Sequence, residues 1–430
     1  MIMNRVLDRW EEELIKCSRC GACQNVCPVF KEIGLESVVA RGKIKLIRGV
    51  RDGKLDLTDA FEERMSWCLL CKACAANCGS GVRADKLVEA ARRAYVAEKG
   101  MPWLKRFIFQ FGLKNRWVFH TGMRMGSLFR WVLFRRGPQG RGMLPRLPLG
   151  IDRRRLVAPL ADRPLRLLYP EVVPVPAASM RVAFFTGCMI NYMYTDIGAA
   201  VIEVLKRNGV EVVIPSLQHC CGSPVRVSGD YESAVAMAKA NIDVLLKEDY
   251  DAVVVACASC GLGLKEEYPE LLAEDPVYRE KAAKLAAKVK DFSELALSLG
   301  NLADGMGELK VKVTYHDPCH LNRGQKVKDQ PRELIKGIPG ITFQEMEQAD
   351  ACCGCAGSFS LYHYELSKKI NDRKIDSIAA TGAGLLVTGC PACRMHIEDG
   401  LHRRQVPSQA IHTAQLLEMA YRVGDREQKN

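Results

Sequence analysis

Cysteines at 17, 20, 23 and 27 carry the first chemistry of this chain, in the run CSRCGACQNVCP. The spacing C-x2-C-x2-C-x3-C-P is the one that holds four-iron, four-sulfur cubanes. Three thiolates set two residues apart in a turning loop converge on one cubane, while neighbouring backbone N–H groups point at its sulfides. The fourth thiolate, a helical turn further on, points away and ligates a second cubane, so one run requires another. Cys68, Cys71, Cys74 and Cys78 supply it 51 residues later. The predicted ligand sets are crossed: Cys17, Cys20, Cys23 and Cys78 on one cluster, Cys68, Cys71, Cys74 and Cys27 on the other. A zinc ribbon also uses C-x2-C pairs, but two interlocking four-cysteine runs exceed its needs. Gly79 stands where proline usually follows the last cysteine, which loosens a turn without removing a ligand.

Ten further cysteines form an internal repeat. The first copy reads C-x31-CC-x35-C-x2-C, with Cys188, Cys220, Cys221, Cys257 and Cys260. The second reads C-x32-CC-x36-C-x2-C, with Cys319, Cys352, Cys353, Cys390 and Cys393. Each set falls where apolar runs end: MRVAFFTGC, VEVVIP and DAVVVAC in the first copy, VKVTYHDPC, ITFQEM and GLLVTGC in the second. Helical patterns lie between, so each copy is predicted to be strand–helix–strand–helix–strand with a parallel sheet. Sites in open sheets of this kind sit at the strand ends. Adjacent cysteines cannot easily chelate one iron, so Cys220/Cys221 and Cys352/Cys353 should each reach two irons or a bridging position. Eighteen of the 19 cysteines are then used. Cys355, in CCGCAGSF, is read as a free thiol beside the second set.

The elements that position these groups divide the 430 residues into four parts. Residues 1–98 form a mainly helical, α+β ferredoxin-like module. Between its cysteine runs two amphipathic helices flank a glycine turn, and a long helix from Arg83 to Lys99 follows. Residues 99–178 are a basic amphipathic connector. Eleven Lys and Arg and no Asp or Glu lie between Lys99 and Ile151, and this stretch with the arginines up to Arg155 accounts for the chain's net charge of +12. Its Trp, Phe and Arg suit an anionic membrane surface or a partner, or arginines offsetting cluster charge. A proline-rich tail ends it. Residues 179–305 and 306–430 are the two α/β repeat domains.

The first sixteen residues contain four acidic groups and no continuous apolar run, so no secretion leader is expected. No stretch has the apolar length of a membrane helix. So many cysteines without a leader point to a reducing compartment and metal thiolates, hence to the cytoplasm, or a peripheral position on the inner face of the cytoplasmic membrane. No recognition motif accompanies the basic charge, so nucleic acid is excluded as a partner. There is no G-x-G-x-x-G after a strand and no Walker A sequence, so no nucleotide site is expected. His219, His316 and His320 flank cysteines of the repeat and are candidates to donate to a sulfide or shuttle a proton.

Two such runs followed by two such boxes resemble the iron–sulfur subunits of glycolate oxidase and flavin-dependent D-lactate dehydrogenases. The resemblance runs from Cys17 to about Ala420 and includes ARGK (Ala40 to Lys43), CLLC (Cys68 to Cys71), SGVR (Ser80 to Arg83) and CCGCAGSF (Cys352 to Phe359). It implies a subunit of an oxidoreductase complex with no substrate chemistry of its own. Electrons would arrive from an FAD-binding 2-hydroxy-acid dehydrogenase subunit and leave to quinone or another carrier. The paired boxes, called cysteine-rich CCG domains, are also similar to those of heterodisulfide reductase, where they hold noncubane 4Fe–4S clusters that cleave a disulfide. By that resemblance Cys188, Cys220, Cys221, Cys257 and Cys260 hold one such cluster, and Cys319, Cys352, Cys353, Cys390 and Cys393 the other. The expected cofactors are two cubanes and one or two noncubane clusters, with FAD on a partner subunit. Two alternatives follow: a heterodisulfide-reductase-like subunit, or an iron–sulfur bridge between an electron-transfer flavoprotein and membrane quinone.

Overall fold

The computed structural model describes residues 6–137, 142–147, 151–300 and 302–428. Residues 1–5, and Pro138, Arg141 and Pro148 of the basic connector, lie outside them. The chain forms two units. The first comprises Met1–Asn115, Gly222–Ala236 and Gly354–Asn371; the second comprises Arg116–Cys221, Met237–Cys353 and Asp372–Asn430. The partition differs from the sequence-based division, because the residues following each double cysteine fold with the N-terminal module.

In the first unit the described elements are helices, without a strand. The strands of an α+β ferredoxin-like module are therefore not seen there. Each cysteine run instead contains a short helix, Ala22–Val26 or Ala73–Ala76, which carries its third cysteine. The helix Ala40–Arg51 buries Ile44, Ile47 and Val50 at helical spacing. Thr58 caps Asp59–Ser66, its Oγ1 accepting from the Phe61 N–H at 3.3 Å. The helix Ala84–Lys99 turns Leu87, Val88, Ala91 and Ala94 inward and stops at Gly100, whose φ of 80° suits glycine. These faces make one apolar cluster, against which Cys17, Cys68, Cys74 and Cys78 pack.

The second unit holds two sheets of like order. Hairpin strands β1 (Phe134–Arg136) and β2 (Met143–Pro145) pair antiparallel, and β3 (Val172–Val173) is an antiparallel edge strand. The first sheet then contains β4 (Met180–Phe185), β5 (Val210–Val213), β6 (Ala252–Val255) and β7 (Val289–Asp291), in the order β3-β5-β4-β6-β7. The second contains β8 (Lys312–His316), β9 (Thr342–Phe343), β10 (Leu385–Thr388) and β11 (Gln409–His412), in the order β11-β10-β8-β9. Apart from β3, every pairing in both sheets is parallel. The repeat is therefore β5-β4-β6-β7 against β9-β8-β10-β11, one strand more per copy than expected. The added strands β7 and β11 are three and four residues long, too short to show a period. Residues 182–185 of β4 and Ala252–Val255 of β6 are buried and apolar, as a sheet covered on both faces requires, whereas β8 also buries Thr314 and His316.

β7 ends at Asp291, which caps the helix Phe292–Ser298: its carboxylate accepts from the Ser293 N–H at 2.8 Å, and Glu294 accepts from the Asp291 N–H at 3.0 Å. Burial raises this carboxyl from 3.8 to about 7. The folded chain therefore holds the proton more tightly than the unfolded chain. The stability this proton contributes is complete below the unfolded value and is lost as pH rises through about 7. Asp291→Asn keeps a capping oxygen and removes the ionisation. We expect it to be more stable than the parent by about 2–4 kcal/mol near pH 8, a gain that shrinks toward pH 4, as read from urea midpoints across that range.

Candidate iron–sulfur sites

The two ferredoxin-type loops repeat their backbone geometry as well as their spacing. Arg19 and Gly21 in the first run have φ of 59° and 86°; Leu70 and Lys72, each 51 residues later, have 52° and 60°. These left-handed residues turn successive N–H groups to one side, as a nest around an anion does. The Leu70 N–H lies 3.5 Å from Cys68 Sγ and the Val82 N–H 3.4 Å from Cys78 Sγ. One cavity is lined by Cys17, Cys20, Cys23 and Cys78. A second is lined by Cys27, Cys68 and Cys71, and Cys74 borders both. The fourth cysteine of each run thus sits with the first three of the other.

The ARGK segment explains itself in this setting. Ala40 lines both cavities. Arg41 donates to the Arg19 carbonyl at 3.2 Å and is held by Glu36 at 3.1 Å. A side chain at Gly42 would meet the Glu36 carbonyl oxygen at 1.9 Å, so the helix can pack there only through glycine. Lys43 is buried, donates to the Arg64 carbonyl, and is pushed down to about 8 by burial, against the pull of the Cys68 and Cys27 sulfurs. Gly79 has open space around it, so no contact there excludes a side chain.

In the second unit the strand ends bring the boxes together. Cys188 follows β4 and Cys257 follows β6; Cys319 and Cys390 follow β8 and β10. Cys220 Sγ lies 3.9 Å from Cys188 Sγ. Hydrogen-bonding contacts continue from Cys220 to Cys221, from Cys221 to Cys260 and from Cys260 to Cys257. They then cross from Cys257 to Cys390, and run through Cys393 to Cys353. Eight thiols of the two boxes form one file, joined at Cys257 and Cys390, and all but the half-buried Cys188 are buried. The Ala258 N–H donates to the Gly389 carbonyl at 3.3 Å across the same junction, and Gln325 Nε2 donates to the Ala258 carbonyl at 2.9 Å. Spacing within each box does not foretell this junction.

Electrostatics separate the thiols. Cys188 and Cys221, with burial, push Cys220 well up; Cys353 and Cys390 do the same to Cys393. Cys390 is held well below the usual thiol range, because Cys257 and Cys393 donate to it and the helix Pro391–Arg403 presents the Cys393 and Ala392 N–H groups. A file of thiols crowded in this way releases protons to a metal, and its soft sulfur donors suit iron–sulfur clusters. Supporting contacts fix the backbone: Asn241 Nδ2 donates to the Cys220 carbonyl at 3.0 Å and the Tyr268 hydroxyl to the Cys221 carbonyl at 3.0 Å. Arg332 grips Asp317, two residues before Cys319, through bonds of 2.9 and 2.7 Å.

The three candidate histidines separate. His320 Nδ1 is 3.0 Å from Ser259 Oγ. His219 is part-buried, and its backbone N–H donates to Asn241 at 2.7 Å. His316 is fully buried, pushed down to about 3 by that burial, and gathers with Cys353 and Cys393. Cys355 belongs to the first unit, whereas Cys352 and Cys353 belong to the second. Lys374, which the sequence reading did not single out, is buried near Cys353 and Cys352 and pushed down to about 8 by burial. A lysine on the inner face of an amphipathic helix was the available signal.

Comparisons with known proteins agree with this geometry. Residues 182–265 and 313–398 match the cysteine-rich domain family CCG, and residues 13–82 match the 4Fe-4S dicluster domain. The probable glycolate oxidase iron-sulfur subunit of Bacillus subtilis (strain 168) is 34% identical over 427 residues, 97% of this chain and 96% of that one. The chain belongs to the glycolate oxidase iron–sulfur subunit family. Lactate utilization protein A of Halalkalibacterium halodurans is 32% identical over 238 residues, covering 55% of this chain and 96% of the relative. A fumarate reductase (CoM/CoB) subunit of Methanothermobacter marburgensis is 36% identical over 247 residues, 56% of this chain and 46% of that one. A crystal structure of a hypothetical protein from Helicobacter pylori shares the fold with a TM-score of 0.52 at 8% identity, over 97% of this chain and 76% of that one.

Proposed function

We propose that this chain is the electron-transferring iron–sulfur subunit of a complex that oxidises a 2-hydroxy acid, D-lactate or glycolate. It would take electrons from an FAD-binding partner and pass them to quinone or another carrier. The observation that carries this reading is the metal-ready architecture itself: two thiol-lined cavities in one unit and a continuous file of thiols in the other. Bound there, iron–sulfur clusters supply one-electron carriers. The protein contributes burial, hydrogen bonds and fixed charge that set their potentials.

Cys17, Cys20, Cys23 and Cys78 would hold one cubane and Cys68, Cys71, Cys74 and Cys27 the other, in a ferredoxin-like arrangement. Cys188, Cys220, Cys221, Cys257 and Cys260 would hold a noncubane cluster, and Cys319, Cys352, Cys353, Cys390 and Cys393 a second. Lys43 and Lys374 each place an ammonium beside thiolates of one set, which favours a cluster whose core and ligands sum to negative charge.

The surface of the connector supports peripheral docking on an anionic membrane. Trp103 is 78% exposed on the first unit; Trp117 and Leu128 are 71% and 73% exposed on the second, among arginines. Among the described residues, no helix is long and apolar enough to cross a membrane.

A second reading, disulfide reduction at the boxes, is favoured by the complete double-cysteine sets and by the relative named for CoM/CoB fumarate reduction. Oxygen-free purification decides between them. We expect about sixteen irons per chain, for four four-iron clusters, a co-purifying FAD protein reduced by D-lactate or glycolate, and membrane association released by salt. A spectral change on adding a disulfide, with no such flavoprotein, would replace the first reading by the second.

A further inference from the structure

We infer that His316 is a nitrogen ligand to the metal centre of the second box, and that the two boxes are therefore chemically unequal. The inference rests on the reading that both boxes hold iron–sulfur clusters. His316 is the last residue of β8 and has no exposed surface. Its Nδ1 lies 3.2 Å from the Ala349 carbonyl oxygen. A carbonyl oxygen can only accept, so Nδ1 carries the hydrogen and the neutral ring keeps its lone pair on Nε2. Nε2 has no hydrogen-bond partner in its buried position. A ring nitrogen of His316 and the sulfurs of Cys353 and Cys393 all lie within 4.8 Å of one another, and Nδ1 is already engaged.

A metal-bound histidine characteristically donates its second ring N–H to a backbone carbonyl, which fixes both the tautomer and the ring orientation. Here that carbonyl is itself fixed: Lys374 Nζ donates to the Ala349 oxygen at 3.2 Å and to the Gln348 oxygen at 2.6 Å. The ring is thus held close to two cysteines of the second box with one lone pair unused.

The first box lacks this arrangement. By the 131-residue offset that relates Cys188 to Cys319, His316 corresponds to Phe185, the last residue of β4. By the 133-residue offset that relates Cys257 to Cys390, Lys374 corresponds to Asn241. A phenyl ring and an amide thus stand in the first box where an imidazole and an ammonium stand in the second. With His316 at one iron of the second box, one of its five cysteines is left off that iron; neutral nitrogen there in place of thiolate, together with a nearby cation, lowers the negative charge at the cluster and raises its reduction potential, as histidine ligation does in Rieske centres. The second box is then reduced before the first, and electrons entering this unit come to rest at the second.

The test uses the full chain, purified without oxygen, with histidine carrying either natural nitrogen or 15N. Pulsed electron paramagnetic resonance should show a directly coupled nitrogen that changes with the label, and His316→Phe, which copies the residue of β4, should lose it. In that variant the second-box signal should also move to lower potential. Iron content reads the underlying assignment separately. A chain about four irons short, whose iron content does not fall further on Cys390→Ser, would mean the second box is empty and the assignment of a cluster there is wrong. A full complement of iron with no labelled-histidine coupling in the parent protein would overturn the ligation while leaving the assignment intact. The measurement on the parent decides the question even if His316→Phe fails to fold.

Discussion

Cys78→Ser should remove the cluster of the first cysteine run while sparing that of the second, although Cys78 belongs to the second run. Cys27→Ser should do the reverse. The first cavity is lined by Cys17, Cys20 and Cys23 together with Cys78, and the second by Cys68 and Cys71 together with Cys27. Loss of a thiolate leaves one iron of the cubane with oxygen or water, a poor substitute for sulfur at a soft site. Each variant should therefore lose about four irons. Electron paramagnetic resonance of Cys78→Ser should match Cys20→Ser, and that of Cys27→Ser should match Cys71→Ser. If Cys78→Ser matched Cys71→Ser instead, each run would hold its own cluster and the crossed sets would be wrong.

Arg92→Met should destabilise the first unit by about 2–4 kcal/mol, and methionine isolates the cause because it keeps much of the aliphatic bulk. The Arg92 guanidinium donates to the carbonyls of Met65 and Cys68 at 2.7 Å, of Ser66 at 3.3 Å and of Val227 at 2.9 Å. Four acceptors from two separate stretches of chain would lose a charged donor. The figure stays modest because Arg92 is part-buried and water can reach some of them. One acceptor is the backbone of Cys68 itself, and Val227 lies in Gly222–Ala236, the segment that follows the first double cysteine. The variant should therefore bleach its second-run cluster at a lower urea concentration than the parent, and protease should cut within 222–236 sooner. Arg92→Lys should recover only part of the loss, because one ammonium cannot span four carbonyls. Equal urea midpoints for parent and Arg92→Met would show that these bonds contribute nothing net.

Spacing alone made the N-terminal chemistry legible. Residues a few positions apart in a tight loop have few places to go, so C-x2-C-x2-C-x3-C fixes three convergent sulfurs and one divergent one. The parallel sheets were legible for a similar reason: continuous apolar strands alternating with helical patterns leave few topologies. Gly42 was visible within ARGK, but its reason, the Glu36 carbonyl 1.9 Å from where a Cβ would sit, was not.

Long-range packing decided the rest. The spacing within each box is blind to the other box, so it could not foretell that Cys257 meets Cys390 and makes one file of thiols from two. The short strands β7 and β11 escaped notice because three or four residues show no periodicity, and pairing with a formed sheet is what makes them strands. Gly222–Ala236 and Gly354–Asn371 read as ordinary loop and helix within the repeat, yet they pack with the N-terminal helices because their partners, Glu89 for Arg226 and Ser66 for His363, lie far away in sequence. The three histidines looked alike beside their cysteines. His316 was set apart by a distant carbonyl that engages one ring nitrogen while the other has no hydrogen-bond partner, in a ring gathered with Cys353 and Cys393. Sequence by itself determined which atoms are available to bind metal, because covalent spacing constrains neighbours. Tertiary structure decided which of them share a centre, because only folding brings distant strand ends within bonding distance.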